Sequence, residues 1–288
     1  MRKTFILLLV LFLLCPLTAG AETVVTSFYP VWLMALNLTE GIDGITVTNL
    51  AEPTTGCLHD YTLQNSDMVA LSKADVLLIN GAGMESFLPV ITAAYPDLPV
   101  VDASEGILLL ESDDDGEVNS HLWLDPQRAV GMAANLAEGL SRYLPGYSQQ
   151  ISDNLTAYRE RLIAVDQTII DELMQFDSLP EVVIFHEAFP YFADACDLPV
   201  LLAVDKEPDE DLSTAQLAVI LEIIQQNTSK PLIIKSMEVD RSVSVLVAET
   251  GAAVCELDPI TTGPDQPPLD YYETVMIRNL RTLLAAVR

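Results

Sequence analysis

The chain has 288 residues, half of them hydrophobic, and its 14 Lys and Arg against 42 Asp and Glu give a formal net charge of −28. This length and hydrophobic content are enough for two domains with buried cores. The charge argues against binding to nucleic acid and against docking on anionic lipid, both of which require a basic surface, and it is compatible with attracting cations.

Residues 1–21 have the pattern of a secretory signal peptide. Arg2 and Lys3 precede the apolar run FILLLVLFLLCPL, and the small residues of TAGA follow as a cleavage signal. The run is shorter than the ~20 residues that a transmembrane helix needs. We therefore expect cleavage near Ala21 and export to the periplasm or the cell surface, and loss of the two basic residues takes the formal charge to −30.

The cysteines raise the questions of lipidation and disulfide pairing. Cys15 would suit a lipoprotein, but Leu14 stands where a small residue is expected, so a lipid anchor is the less favoured interpretation. Loss of Cys15 with the signal peptide leaves an odd number of cysteines, so at least one thiol lies outside any intramolecular disulfide. Cys196 and Cys255 are a candidate pair that the sequence leaves open.

Short runs of β-branched and aliphatic residues predict strands in both halves of the mature chain. They lie at 23–29, 45–50, 75–80 and 99–104, and at 181–186, 198–204, 230–236 and 252–258. Helical patterns separate them, which favours parallel sheets covered by helices. The sequence therefore predicts an α/β protein with two lobes, each a roughly four-stranded parallel sheet flanked by helices.

A long helix is predicted between the two halves. An apolar stripe recurs there at steps of three and four, formed by Ile151, Leu155, Tyr158, Leu162, Val165, Ile169 and Leu173. A helix of roughly 25–30 residues would be about 40 Å long and stiffer than a glycine-rich linker, so we expect only modest opening of the lobes. The predicted boundaries are 22–145 for the first lobe, 146–177 for the linking helix and 178–288 for the second lobe.

The three histidines of the chain all lie at or beyond the carboxyl ends of predicted strands. His59 follows the second strand in TTGCLHDYT, His121 follows the fourth in NSHLWLDP, and His186 ends the fifth in VVIFHEAF. Ligands bind at this edge of open α/β sheets, so the three would converge if the lobes face each other across a cleft. Neutral imidazole is a common ligand of first-row divalent metals, and three imidazoles need a fourth donor.

Asp258 is the strongest carboxylate candidate for the fourth donor, because it ends the last predicted strand on the same edge as His186. Asp125 precedes a proline at the start of a helical run, which is typical of a helix N-cap. Asp60 and Glu187 each follow a histidine directly. Neighbours on an extended chain point to opposite faces, so we expect these two to orient an imidazole through its other nitrogen.

Cys57 lies two residues before His59 and is within reach of the same side of the chain. A thiolate there would favour zinc or copper. A small buried thiol without a ligand role is the favoured interpretation.

The histidines and Asp258 lie in four segments that carry a resemblance. These are HDYTLQNSDMVALSKADVLLINGAGMESFL, HLWLDPQRA, FHEAFPYFA and LVAETGAAVCELDPI. In this order, over essentially the whole mature chain, they resemble the solute-binding proteins of ABC importers for zinc and manganese, a group that includes streptococcal-type adhesins. The resemblance implies a metal between two α/β lobes joined by a long helix. Carried over by position, it implies His59, His121, His186 and Asp258 as the metal ligands.

The chain departs from the family pattern at several positions. Leu58 stands where the family usually has proline before its first histidine. Segment 111–117, ESDDDGE, replaces a histidine-rich loop of zinc-specific members, and we interpret it as a solvated loop. Segment 205–213, DKEPDEDLS, places acidic residues before a helix, which the helix dipole explains better than contact with a permease. Manganese members tend to have glutamate at the position of His186, so this histidine favours zinc.

We therefore expect a high-affinity extracytoplasmic receptor for a divalent metal, Zn²⁺ foremost and Mn²⁺ as the alternative. It would deliver the ion to the membrane permease of an ABC importer, as a monomer, without catalytic activity and without nucleic acid as a partner. Two other functions stay open: an exported zinc-dependent hydrolase with Glu187 as its base, and an adhesin in which the metal is structural.

Overall fold

The computed structural model describes residues 21–58, 61–111, 118–204, 212–227, 229–237 and 240–288. Within these ranges the chain forms two four-stranded sheets, and every strand pairing in them is parallel. Segments 1–20, 112–117 and 205–211 lie outside the described residues, and they contain most of the predicted signal peptide and most of both acidic segments. None of the described helices combines the length and the hydropathy needed to cross a bilayer.

The first sheet has the strand order β2-β1-β3-β4. Its strands are β1 Glu22–Thr26, β2 Ile45–Asn49, β3 Val76–Ile79 and β4 Val100–Asp102, and helices α1 Tyr29–Leu38, α2 Asn65–Leu71 and α3 Leu88–Ala94 lie between them. The central strand β3, with the sequence VLLI, is buried along its whole length. A continuous apolar strand of this kind is typical of a sheet covered on both faces.

Two helices follow the first sheet, α4 Pro126–Tyr143 and α5 Ser148–Leu173. The Asp125 carboxylate accepts hydrogen bonds from the amides of Gln127 and Arg128, which confirms that Asp125 is an N-cap. With 26 residues α5 is about 39 Å long, and its buried residues belong to the predicted apolar stripe, so the long linking helix is confirmed. It lies inside the predicted 146–177, whereas the domain boundaries themselves stay predictions.

The second sheet repeats the arrangement of the first, with the order β6-β5-β7-β8. Its strands are β5 Val182–Phe185, β6 Val200–Val204, β7 Leu232–Ser236 and β8 Val254–Leu257, and its helices are α6 Pro190–Ala195, α7 Thr214–Gln226, α8 Arg241–Thr250 and α9 Tyr271–Val287. Each observed strand of both sheets overlaps its predicted segment. The predicted fold class is therefore confirmed.

One apolar core runs through both halves of the molecule. Helix α5 packs against α1, α4 and α9, and α9 also packs against β8. Trp123, which follows the first sheet, is fully buried, and its Nε1 donates to Pro259 O at 2.8 Å. Tyr272 Oη donates in return to Trp123 O at 2.7 Å. Because the halves share buried side chains and hydrogen bonds, large opening movements would expose core.

None of the three cysteines in the described ranges forms a disulfide. Cys196 and Cys255 are buried free thiols, so the candidate pair is not formed. Burial raises the pKa of both thiols, that of Cys255 to about 12, so both are unreactive as nucleophiles.

Candidate metal centre

Two histidines, one from each half of the chain, lie close together. His121 lies just before a single 3₁₀ turn, Leu122–Leu124, and His186 directly follows β5. Both residues are buried: His121 is 1% exposed and His186 is 3% exposed. The ring centroids are 6.1 Å apart and the rings are nearly perpendicular. The structure thus brings these two predicted ligands together, whereas His59 and Asp60 lie outside the described residues.

Asn119 sets the tautomer and the direction of the His121 ring. Asn119 Oδ1 accepts from the backbone amide of His121 at 2.9 Å, which identifies this atom as the oxygen. The same oxygen lies 3.1 Å from Nδ1 of His121, and because an amide oxygen only accepts, Nδ1 carries the proton. The lone pair of the ring is therefore on Nε2, which is the nitrogen able to bind a metal.

A thiol and a carboxylate lie beside Nε2 of His121. Its Nε2 is 3.5 Å from Cys57 Sγ and 3.5 Å from Glu187 Oε1. The expectation that Cys57 is a buried thiol is wrong, since this residue is only partly buried and faces the imidazole. Glu187 was expected to orient an imidazole through the nitrogen that does not bind the metal, and this geometry is also wrong. Its carboxylate faces Nε2 of His121, and Asn119 holds Nδ1 of that ring.

The expected direction of the Glu187 side chain assumed an extended backbone at His186, and the backbone there is not extended. Its φ of 118° is in a region that residues with a side chain rarely adopt. The alternation of neighbouring side chains holds for extended chains only, so it does not apply across this residue. Such a conformation costs on the order of 1–3 kcal/mol and is concentrated at functional sites.

The ring of His186 is engaged by its own backbone. The amide of Ala188 donates to Nδ1 of His186 at 3.0 Å, so Nδ1 is an acceptor and the neutral ring carries its proton on Nε2. Phe189 packs beside the ring with a centroid separation of 5.5 Å. Ligation through Nε2 therefore requires a change of tautomer and loss of the bond from Ala188.

Asp258 is fixed at the end of β8 by contacts of its own. Its Oδ1 accepts from the amide of Ile260 at 2.8 Å, and its Oδ2 forms an ion pair with Arg278. Asn279 holds the backbone of Asp258 from both sides, at 3.0 Å and 2.8 Å. Among the residues that the structure describes, no three His, Cys, Asp or Glu side chains form a group able to hold a metal ion. Participation of Asp258 with the histidines accordingly stays a prediction.

A cleft of about 250 Å³ opens beside His186. Three carboxylates line it, those of Glu111, Glu187 and Asp194, together with Asn119, and the described residues in its lining include neither Lys nor Arg. Such a lining raises the local concentration of cations. Imidazole, thiol and carboxylate donors fit a first-row transition metal better than Mg²⁺ or Ca²⁺, which take oxygen ligands.

Comparison with known proteins identifies the family. The protein family described as "Zinc-uptake complex component A periplasmic" (ZnuA) matches residues 24–286 of this chain. The chain belongs to the ZnuA family. It is 26% identical over 283 residues to the zinc-binding lipoprotein AdcA of Streptococcus pneumoniae, a match that covers 92% of this chain and 55% of AdcA. It thus spans about half the length of that relative.

Two further similarities are to proteins whose descriptions state the metal that they bind. The manganese-binding lipoprotein MntA of Halalkalibacterium halodurans is 23% identical over 235 residues, which cover 80% of this chain and 77% of MntA. The crystal structure of the Zn(II)-bound ZnuA-like domain of S. pneumoniae AdcA superimposes with a TM-score of 0.77 at 25% identity, covering 93% of this chain and 99% of that domain.

The functional residue that sequence reasoning missed in this ZnuA-family chain is Asn119. The side-chain Nδ2 of Asn119 donates to the backbone oxygen of Glu187 at 2.6 Å, and the backbone oxygen of Asn119 accepts from Tyr191 Oη at 2.8 Å. Tyr191 in turn accepts from the amide of Leu110 at 2.9 Å. Asn119 therefore links the two halves at the point where the histidines meet. The sequence signal that could have found Asn119 is its side-chain amide, which lies two residues before the candidate ligand His121.

A buried carboxylate supports the His121 segment from behind. Glu85 accepts from the amides of Asn80 and Gly81 at 2.8 Å and 3.1 Å, and Asn80 Nδ2 donates to Ser120 O at 2.9 Å. Burial raises the pKa of Glu85 to about 7, although these amide bonds lower it. The loop after β3 is thereby held against the residue that precedes His121.

Proposed function

We propose that this chain is the extracytoplasmic receptor of an ABC importer for a divalent metal, Zn²⁺ foremost, with Mn²⁺ as the alternative. The observation that carries the proposal is the pair of buried imidazoles, His121 and His186, contributed by different halves of the chain and 6.1 Å apart beside an acidic cleft. Membership of a zinc-uptake family and the names of the zinc-binding relatives support zinc as the cargo. The membrane permease of the importer would be its protein partner.

For the ligands we propose His59, His121, His186 and Asp258. Three neutral imidazoles and one carboxylate reduce the charge of the dication to +1, which makes its burial far less costly. The ion pair with Arg278 has to be exchanged for the metal before Asp258 ligates. The bond from Ala188 to His186 has to break as well, so metal entry changes the conformation around His186.

The remaining parts of the proposal concern location and assembly. The signal-like segment before residue 22 and the names of the relatives favour export, with cleavage near Ala21 and the less favoured lipid anchor on Cys15 as the two routes. We propose that the protein is a monomer. We also propose that it has no nucleic-acid partner, because the formal charge of −28 opposes phosphate binding. A role in transport rather than catalysis agrees with the uptake family.

Equilibrium binding tests the function and its ligands together. Purified metal-free protein is titrated with Zn²⁺ against a chromophoric chelator, for the wild type and for His59→Ala, His121→Ala and His186→Ala. Each replacement should weaken binding at least tenfold, because each removes a donor. Gln149→Ala, on the exposed face of α5, should bind as the wild type does. Equal zinc affinity in the wild type and in all three histidine variants would refute the proposal.

A further inference from the structure

Cys57 differs from the other cysteines that the structure describes. Cys196 and Cys255 are buried in the core, whereas Cys57 is partly exposed and its Sγ lies 3.5 Å from Nε2 of His121. Because Asn119 holds Nδ1 of the same ring, Nε2 is the nitrogen that faces an incoming metal. The sulfur therefore lies on the side of the imidazole where the ion would bind.

The separation of these atoms matches that of two ligands on one zinc ion. With Zn–S of about 2.3 Å, Zn–N of about 2.0–2.1 Å and a tetrahedral angle, a sulfur and a nitrogen donor are about 3.6 Å apart. The observed Sγ–Nε2 distance is 3.5 Å. Cys57 and His121 can thus share one ion with little movement of either side chain.

We infer that Cys57 is a metal ligand of this chain, which binds Zn²⁺ through its sulfur beside the imidazole of His121. The inference rests on the proposed function. With Asp258 paired to Arg278, the sulfur completes a tetrahedral set with the three imidazoles, and if Asp258 binds as well the ion is five-coordinate. The thiol loses its proton to solvent as the Zn–S bond forms. A thiolate donor favours Zn²⁺ over Mn²⁺, so Cys57 strengthens the preference of the site for Zn²⁺.

X-ray absorption at the zinc edge of the wild-type protein, loaded with one equivalent of Zn²⁺, tests the Zn–S bond without any mutation. A sulfur neighbour at about 2.3 Å is expected, and a shell of only nitrogen and oxygen at about 2.0–2.2 Å would overturn the inference. The latter result means that the 3.5 Å contact is a thiol–imidazole hydrogen bond. Failure of the wild type to take up zinc would instead overturn the proposed function, and this inference with it.

Substitution gives a second measurement. The Co²⁺-loaded wild type should show a near-ultraviolet sulfur-to-cobalt charge-transfer band that Cys57→Ser lacks and that Cys196→Ala, altered at a buried thiol, retains. Cys57→Ser should also lower the Zn²⁺ affinity roughly 10- to 100-fold. The Mn²⁺ affinity should fall less, because a thiolate suits Zn²⁺ and not Mn²⁺, so the ratio of the two affinities should fall. A band that persists in Cys57→Ser, or an unchanged affinity ratio, would contradict the assignment.

Discussion

Replacement of Asn119 by alanine should weaken zinc binding and destabilise the protein at once. The change removes the bonds of Oδ1 to the amide and to Nδ1 of His121, at 2.9 Å and 3.1 Å, and the bond of Nδ2 to Glu187 O at 2.6 Å. Three hydrogen bonds of about 1 kcal/mol each predict a loss of about 3 kcal/mol in the free energy of unfolding. Loss of the group that fixes the His121 ring predicts a zinc affinity roughly 10- to 100-fold lower, or about 1.4 to 2.8 kcal/mol.

The two effects are measured separately, by chelator competition for zinc affinity and by urea unfolding of the metal-free protein for stability. Asn135→Ala is a matched control, because Asn135 Nδ2 donates to Ala103 O and Glu105 O, both at 2.8 Å, without contact to either histidine. It should lower stability and leave zinc affinity unchanged. Asn119→Asp keeps the acceptor for His121 but loses the donor to Glu187, so it should bind within a few-fold of wild type. Wild-type affinity in Asn119→Ala would refute the positioning role.

Three further predictions concern pH, the interlobe contacts and the metal. Burial raises the pKa of Glu85 to about 7, against 4.5 in the unfolded chain, so the folded state binds this proton more tightly, and the stability that it contributes is present below about pH 4.5 and lost as the pH rises to about 7. Between about pH 5 and 7, the free energy of unfolding measured in urea should therefore fall more steeply with rising pH in the wild type than in Glu85→Gln, by at most about 1.4 kcal/mol per pH unit. Equal slopes in the two proteins would contradict this. Trp123→Phe leaves Pro259 O without its donor, which should cost roughly 1–3 kcal/mol in urea unfolding, and an unchanged midpoint would count against Trp123 as an interlobe contact. Removal of metal by a chelator should leave the far-ultraviolet circular dichroism unchanged, because both sheets are held by apolar packing; unfolding on chelation would favour an adhesin with a structural metal.

The elements and their order were predictable from local patterns. Apolar runs at the length of strands and the stripe along 151–173 depend on periodicity, which is a local property of the chain. The N-cap role of Asp125 was predictable for the same reason, since its partners are two and three residues away. The position of His186 at a strand end followed from the same strand assignments, whereas His121 lies 19 residues (121 − 102) after the end of β4.

What the sequence by itself determined is therefore the fold class, the long linking helix and the strand-end position of one of the two histidines, His186. Tertiary structure alone decided which side chains surround them. The engagement of Asp258 by Arg278, the bridge from Asn119 to Glu187 and the approach of Cys57 to His121 are contacts across 20, 68 and 64 residues. The positive φ of His186 is a property of one residue and has no periodic signature either.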